Sequence, residues 1–402
     1  MRILTVTSSY PKFPGDVTAP FIEAIARTLA ERGHWVDVVL PEHPALRWPV
    51  SPVALHPYRY APRPDWSLWG YAASLESDVR VRGRVYLLAP LVALALRESV
   101  STHLTTRRYD VVHAHWVVPN AALIADIVHA HGVPLVVSLH GSDVFLAERL
   151  APAGALARRA FARAGAVTAC SDDLRVRALA LGAAPELTRT LPYGVDLEGF
   201  APHAASPSVR AELGVPEGAV FILAVGRLVE KKGFRHLVEA TAGTAGLHVV
   251  IAGAGDLRTE LEALARSLRA PVSFAGALER PAVARAFGAA DVVVVPSVVD
   301  RAGNVDGLPN TLLEALAAGR AVIASRVAGI PDVVVDDESG ILVAPGDAEA
   351  LRAALQRLVR EPATRARLAQ AARRLAVARL GWDAAVSGFE EAYAQAAALD
   401  AR

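Results

Sequence analysis

Val220-Phe221-Ile222-Leu223-Ala224-Val225-Gly226-Arg227-Leu228-Val229-Glu230-Lys231-Lys232-Gly233-Phe234 reads as an apolar run that opens into a basic loop and then into a helical pattern. An apolar run this short, ending at glycine and followed by helical periodicity, is a buried strand at the start of a β-α step. The same step recurs on both sides of it. Downstream, His248–Ala252, Val272–Phe274, Val292–Val295, Ala321–Ala324 and Ile341–Val343 read as strands, with helices most clearly at Arg258–Arg269, Thr311–Ala318 and Ala348–Leu358. Upstream, Ile3–Thr7, Trp35–Leu40, Val111–His115, Leu135–Leu139 and Ala166–Ala169 alternate with helical patterns at Ala19–Arg32, Asn120–Ala130 and Ala155–Ala164. The helix of Ala19–Arg32 closes at Gly33, a residue suited to the position just past a helix end.

Repeated β-α-β order predicts an α/β protein with parallel sheets covered on both faces. The joint lies in Leu191–Pro216, which carries Pro192, Gly194, Pro202 and Pro207. The expected layout is therefore two doubly wound, Rossmann-like domains, residues 1–192 and 193–375, facing each other across a cleft. A closing segment, residues 376–402, holds a final helix. Trp382, Phe389 and Tyr393 fall on one helical face there and read as core. Ligands in such sheets sit at the carboxyl ends of the strands.

Composition narrows the function. The chain has 402 residues, 53% hydrophobic and 21% charged, which suits packed cores and excludes a disordered polymer. Lys and Arg number 42 against 41 Asp and Glu, so no basic excess marks a nucleic-acid binder. Split at residue 190, the halves carry about +4 and −3. The longest apolar stretch, Leu87 to Leu96, is half of the roughly 20 residues a membrane span needs. The N-terminal apolar run is too short for a signal peptide. One cysteine, Cys170, makes no internal disulfide and suits a reducing cytoplasm. Of 42 basic residues only Lys12, Lys231 and Lys232 are lysine, and two of these fall in the quoted stretch.

Three clusters carry chemistry. Gly226, Arg227, Lys232 and Gly233 lie at a strand end, where the Arg fork and the Lys point charge suit a phosphate group; a solvated basic turn has the same composition. The second cluster, Asp306-Gly307-Leu308-Pro309-Asn310-Thr311-Leu312-Leu313-Glu314, follows a strand and opens a helix, with Pro309 suited to the first helical position. Helix-start amides attract an anion. Asp306 and Glu314 beside them suit hydrogen bonds from sugar hydroxyls, or else a helix-favouring charge and a surface residue. The third cluster is His140-Gly141-Ser142-Asp143 at a strand end. His113 and His115 have a metal-compatible spacing but no obvious third ligand, and read as structural or site-lining residues. Pro14-Gly15-Asp16 forms a further strand-end loop. Tyr58–Arg108 mixes Trp66, Trp69, Tyr71 and Tyr86 with Arg80, Arg82, Arg84 and Arg97. That mixture suits contact with a membrane surface and, equally, packing on its own domain.

Together these residues resemble the family 4 retaining glycosyltransferases of the GT-B fold. Gly226-Arg227, Lys232-Gly233, the acidic pair eight residues apart, Gly307-Leu308-Pro309, Gly319-Arg320-Ala321 and His140-Gly141-Ser142-Asp143 carry the likeness across nearly the whole chain. The one departure is Asp306, where the family has Glu. The resemblance implies that Arg227 and Lys232 hold the diphosphate of a UDP- or GDP-linked sugar, with Gly226 beside them. It puts Glu314 on the ribose, the backbone at Gly276 and Ala277 on the base, and Asp306 with the Gly307 and Leu308 amides on the hexose. It places His140 near the transferring sugar and Gly15 near the phosphate. His140, Asp306, Arg227 and Lys232 are thus the expected catalytic residues, while Lys231 lies outside the family pattern. It further implies no cofactor and no metal, a sugar or lipid-linked acceptor, a place in polysaccharide, glycolipid or glycoconjugate synthesis, and cytoplasmic residence, at the inner membrane face if the acceptor is a lipid. The C-terminal helices are expected to cross back to the first domain. The alternatives are a GT-B-type epimerase and a non-catalytic nucleotide-sugar-binding subunit.

Overall fold

The computed structural model describes residues 1–16, 18–48, 51–71, 83–202 and 207–400. The chain divides into two units, Met1–Tyr193 with Trp382–Arg402, and Gly194–Gly381.

The first unit has a seven-stranded sheet. Its strands are β1 (Arg2–Val6), β2 (Trp35–Pro41), β3 (Val53–Tyr58), β4 (Val111–His115), β5 (Leu135–Leu139), β6 (Ala166–Ala169) and β7 (Thr188–Thr190), in the order β3-β2-β1-β4-β5-β6-β7. Every pairing is parallel, as in Leu4 against Asp37 and Thr5 against His113. The second unit has β8 (Val220–Val225), β9 (Leu247–Ala252), β10 (Val272–Gly276), β11 (Val292–Val295), β12 (Ala321–Ser325) and β13 (Ile341–Val343), in the order β10-β9-β8-β11-β12-β13. Both sheets are doubly wound. The order reverses between β1 and β4 in one and between β8 and β11 in the other, so a crevice opens at each reversal.

The inner strands fall where the apolar runs put them, because a strand covered on both faces must be apolar throughout. The two edge strands β3 and β7 were not expected. β3 carries Pro57, which only an edge tolerates, and β7 has three residues. The irregular stretch Tyr58–Arg108 contains a 24-residue helix, Gly83–Thr106, with Pro90 inside it. Arg80 and Arg82 lie outside the described residues.

The C-terminal segment differs from expectation. Helix Pro362–Arg379 belongs to the second unit, and only Trp382–Asp400 joins the first, so the boundary falls at residue 382 rather than 376. The reason is local packing. An added methyl on Gly165 would meet Ala396 at 2.9 Å, and one on Gly388 would come within 2.4 Å of Leu191, so the last helix lies tightly on the first unit. Phe389 and Tyr393 are buried in that core, with Trp382 half-buried at its margin.

Candidate functional site

In the second unit the site is built at the reversal between β8 and β11. After β8 the chain makes a short 3-10 turn, Glu230–Lys232, and then passes through Gly233 with φ +66°. A side chain at Gly233 would sit 1.8 Å from the Pro296 carbonyl oxygen, so glycine alone fits. The Val298 amide donates to the Lys231 carbonyl at 2.9 Å, which fastens the loop after β11 to this turn. That loop ends at Pro309, which caps helix Asn310–Ala317 instead of taking its first position.

The join brings both lysines to one carboxylate. Lys231 Nζ lies 3.2 Å from Asp306 Oδ1, and Lys232 Nζ lies 2.6 Å from Oδ2. Burial pushes the Asp306 carboxyl up, but the Lys232 and Lys231 charges outweigh it and hold the group well below the usual carboxylate range. Lys231, outside the family pattern, is thus a buried member of the cluster as well. The stem of Lys232 crosses Gly226 at 3.4 Å from where a side chain would start. Arg227, just after Gly226, is exposed.

Glu314 lies on the fifth residue of helix Asn310–Ala317 and is partly buried. Burial pushes its carboxyl up to about 7; the Arg280 and Lys232 charges pull it down and Asp196 adds to the rise. Arg280 itself stands 5.3 Å over the Phe200 ring and 3.7 Å from Asp196. Neither Arg280 nor Asp196 was expected. Each carries an ordinary solvated look in the sequence, and only the fold sets them beside Glu314.

The loops after β8, β9 and β10 interlock through glycine. The Gly253 amide donates to the Gly276 carbonyl at 2.7 Å, and a side chain on Gly253 would strike the Gly226 oxygen at 1.8 Å. Gly255 has the same relation to the Leu228 backbone. The run Gly253-Ala254-Gly255 directly after an apolar strand was the available signal for this contact. Gly276, with φ +74°, ends β10 and leaves open space where a side chain would be; Ala277 is exposed next to it. A cavity of about 410 Å³ lies along the edge strand β10, between Ser273, Phe274 and Ala275 on one side and Val209, Glu212 and Leu213 on the other; neither Gly276 nor Ala277 lines it. Gly307 and Leu308 are buried, and the Gly307 carbonyl accepts from the Gly329 amide at 2.9 Å.

The carboxyl edge of the first unit is different in kind. His140, after β5, is held through both ring nitrogens: Nε2 lies 3.0 Å from His115 Nδ1 and Nδ1 lies 2.6 Å from the Tyr193 hydroxyl. Burial, with His113 nearby, holds its pKa down at about 3, so the ring is neutral. With both nitrogens engaged within the protein, the ring carries no charge. It offers a face, and Phe21 at 5.0 Å and Trp116 at 4.7 Å extend that face. Trp116 has φ +67°, a costly conformation for a bulky residue. The Asp143 carboxylate accepts from the amides of His140, Gly141 and Val117 and so fixes the loop. Behind it, His113 bonds the Tyr393 hydroxyl at 2.8 Å and Ser138 at 2.6 Å, and Ser138 reaches Thr168. His113 and His115 are thus structural, and no group of three His, Cys, Asp or Glu suited to a metal occurs among the described residues.

Gly15, with φ +90°, lies in a loop fastened by the third lysine: Lys12 Nζ is 2.9 Å from Asp16 and 2.8 Å from Thr18. The expected site residues thus fall into two groups. Gly226, Arg227, Lys232, Gly276, Ala277, Asp306, Gly307, Leu308 and Glu314 line one edge of the second unit. Gly15 and His140 belong to the first unit.

Known proteins match this arrangement. The family model for glycosyl transferases group 1 covers residues 206–375, and that for a glycosyl transferase 4-like domain covers residues 18–194. The chain is 31% identical to a D-inositol 3-phosphate glycosyltransferase of Nocardiopsis dassonvillei, over 93% of this chain and 88% of that one. An uncharacterized glycosyltransferase of Methanocaldococcus jannaschii is 26% identical over 95% of both. Among solved structures, sucrose-phosphate synthase from Thermosynechococcus elongatus superposes with a TM-score of 0.78 at 21% identity, covering 98% of each chain. Anabaena HepE in complex with UDP-glucose gives 0.72 at 20%, over 97% of this chain and 98% of that one. These last two show the fold, which is GT-B. Fold, site and relatives define a glycosyl-transferring enzyme, and the chain belongs to the group 1 glycosyltransferase family.

Proposed function

We propose that the enzyme moves a hexose from a UDP- or GDP-linked donor to an acceptor hydroxyl, with retention of anomeric configuration and without a divalent metal. The observation that carries this reading is the Lys231–Asp306–Lys232 cluster beside Arg227 at the carboxyl edge of the second sheet. Departure of a nucleoside diphosphate develops negative charge on phosphate oxygens. Two fixed ammonium groups and a guanidinium offset that charge with no reorganisation during the step, which is the role a metal ion has elsewhere.

The remaining roles follow by position. Glu314 accepts the ribose hydroxyls, and the backbone at Gly276 and Ala277 takes the base. Asp306, with the Gly307 and Leu308 amides, orients the hexose. The anomeric carbon becomes cation-like, and the acceptor oxygen enters on the face the diphosphate leaves. The acceptor proton passes to the departing phosphate, since His140, weakly basic and bonded through both ring nitrogens, is unsuited to take it. The first unit receives the acceptor over its aromatic edge. Anabaena HepE was solved with UDP and with UDP-glucose, which supports a UDP-linked donor here. The relatives named for D-inositol 3-phosphate support a polar acceptor hydroxyl. Synthesis of a polysaccharide, glycolipid or glycoconjugate at the cytoplasmic face of the membrane suits this chemistry.

The test is a screen of nucleotide sugars for thermal stabilisation and slow hydrolysis, in the presence and absence of EDTA. One nucleotide series should stabilise the protein, and hydrolysis of one member should survive EDTA. Loss with EDTA, restored by magnesium or manganese, overturns metal independence. Release of an altered sugar without acceptor favours an epimerase, and binding without turnover on any acceptor favours a non-catalytic subunit.

A further inference from the structure

Helix Gly83–Thr106 is apolar on two opposite faces. One face is a seam of Val85, Leu88, Val92, Leu96 and Val100, all buried against the first unit. The opposite face, over its first three turns, carries Leu87, Pro90, Leu91 and Leu94, flanked by Tyr86. Tyr86, Leu87 and Leu94 are 67%, 69% and 67% exposed. Beyond them the face turns polar with Glu98, Ser101 and Thr105. Core packing explains the seam and, among the described residues, leaves the outer stripe without a partner. Contiguous exposed apolar surface of this kind marks an interaction site.

Charge says what the partner is. Between residues 59 and 97 the chain has six arginines and three acidic residues. Arg59, Arg63 and Arg84 are exposed, and Arg84 stands 5.9 Å over the Trp66 ring at the start of the helix. Apolar side chains in a helical stripe with arginines and an indole at their margin match an anionic lipid surface: the leucines enter the acyl boundary and the guanidiniums meet phosphates. A second copy of the chain fits less well, because this helix offers Glu98 as its one carboxylate against the exposed Arg59, Arg63 and Arg84.

We propose that the outer face of this helix is a peripheral docking surface for an anionic bilayer. Its place in the fold adds a consequence. The helix runs from the carboxyl end of β3 to the amino end of β4, so its exposed first turns lie at the carboxyl edge of the sheet, the edge that holds Trp116 and His140. Docking there sets that edge against the lipid headgroups. Resting on the transferase reading, the acceptor is then a hydroxyl carried at the bilayer surface. The buried seam keeps the helix on the protein, so it lies on the membrane and does not cross it.

The experiment is co-sedimentation of the purified protein with vesicles of phosphatidylcholine alone and of phosphatidylcholine with phosphatidylglycerol. Wild type should bind the anionic vesicles only, and binding should weaken as salt rises. The double variant Leu87→Asp/Leu94→Asp should partition at least tenfold less, and Arg84→Ala about fivefold less. Melting temperature and the thermal shift with nucleotide, measured on the same samples, should be unchanged in both variants because all three side chains lie outside the packed seam and the donor site. Wild-type sedimentation by the double variant, or failure of wild type to bind anionic vesicles, overturns the proposal. So does a concentration-dependent dimer in light scattering that the double variant abolishes. Vesicle binding without any nucleotide shift leaves the docking surface standing and removes the transferase reading instead.

Discussion

The carboxyl edges of the two sheets are made of opposite materials. At the edge of the second unit a carboxylate is shared by two ammonium groups, and another carboxyl holds its proton unusually tightly. At the edge of the first unit three histidines are kept neutral inside a net of hydroxyls and aromatic rings, with His115 held well below its ordinary pKa. Both sheets follow the same winding rule, so topology alone does not produce the difference. On the proposed reaction the difference is chemical, since one edge meets developing phosphate charge and the other a neutral sugar or acceptor. Glu314 and the histidines should therefore respond to acid in opposite ways. Histidines with depressed pKa values bind fewer protons folded than unfolded, so they withdraw stability as pH falls below about 6.5. Glu314, with a raised pKa, binds more protons folded than unfolded and withdraws stability as pH rises from about 4.5 to about 7.

The largest effect should come from the charged edge. Lys232→Ala removes a stabiliser of the leaving group and should lower turnover by roughly 10²–10³-fold, the scale of a lost oxyanion donor. Lys231→Ala should also damage the enzyme, by about tenfold, because its ammonium shares the Asp306 carboxylate and its loss frees that carboxylate to hold Lys232 more tightly. Steady-state turnover of the donor identified by the screen checks both. A silent Lys231→Ala would return the site to the single-lysine arrangement expected from the sequence. Asp306→Asn sharpens the same point. It keeps a polar side chain but removes one negative charge, so the free diphosphate should bind at least as tightly as to wild type while turnover falls about tenfold. Weaker binding of the free diphosphate would mean that Asp306 serves mainly to aim the lysines.

Most of the second edge was legible in the sequence. Strand, basic loop and acidic helix start are all contiguous motifs, and rare lysines flagged the loop. What escaped notice was what sequence distance hides. Lys231 shows its importance only when the loop after β11 folds over the turn after β8. Arg280 and Asp196 reach Glu314 from 34 and 118 positions away. The first edge was less legible still. His140 was singled out, but its partners His115 and Tyr193 come from other strand ends, and the Tyr393 that bonds His113 comes from the last helix. The edge strands β3 and β7 were missed because Pro57 and brevity weaken the β pattern. The two-faced helix Gly83–Thr106 was missed because an apolar stripe facing solvent spoils the amphipathic period.

A smaller effect tests the tightly held proton. If only ionised Glu314 accepts the ribose hydroxyls, a group titrating near 7 is about 10% ionised at pH 6 and 90% at pH 8. Affinity for the free nucleoside diphosphate should then rise about tenfold across that range. The phosphate titrates there as well, so Glu314→Gln supplies the baseline: its affinity should be weaker at pH 8 and vary only with the phosphate. Parallel pH profiles for the two proteins would take Glu314 off the ribose.

The smallest effect belongs to the neutral edge and separates its two tyrosines. Tyr393→Phe deletes the hydroxyl bonded to His113 at 2.8 Å and leaves a fully buried ring nitrogen without a partner. An orphaned buried polar atom costs about 1–3 kcal/mol, and for a unit of this size each kcal/mol lowers the melting temperature by roughly 2–4 °C. Tyr193→Phe deletes an equally short bond, but to His140, which keeps partial access to water, so the loss should be smaller. The positions should also differ in kind. Tyr393 touches only the interior, so its variant should melt earlier yet retain turnover. Tyr193 fixes the ring that floors the acceptor edge, so its variant should melt almost normally and show a raised KM for acceptor, with binding of the free diphosphate unchanged. Scanning calorimetry and acceptor titrations of the two variants decide this. Matching losses of stability and acceptor affinity in both would show that the His113 and His140 nets act as one structural unit, and that the neutral edge has no face reserved for substrate.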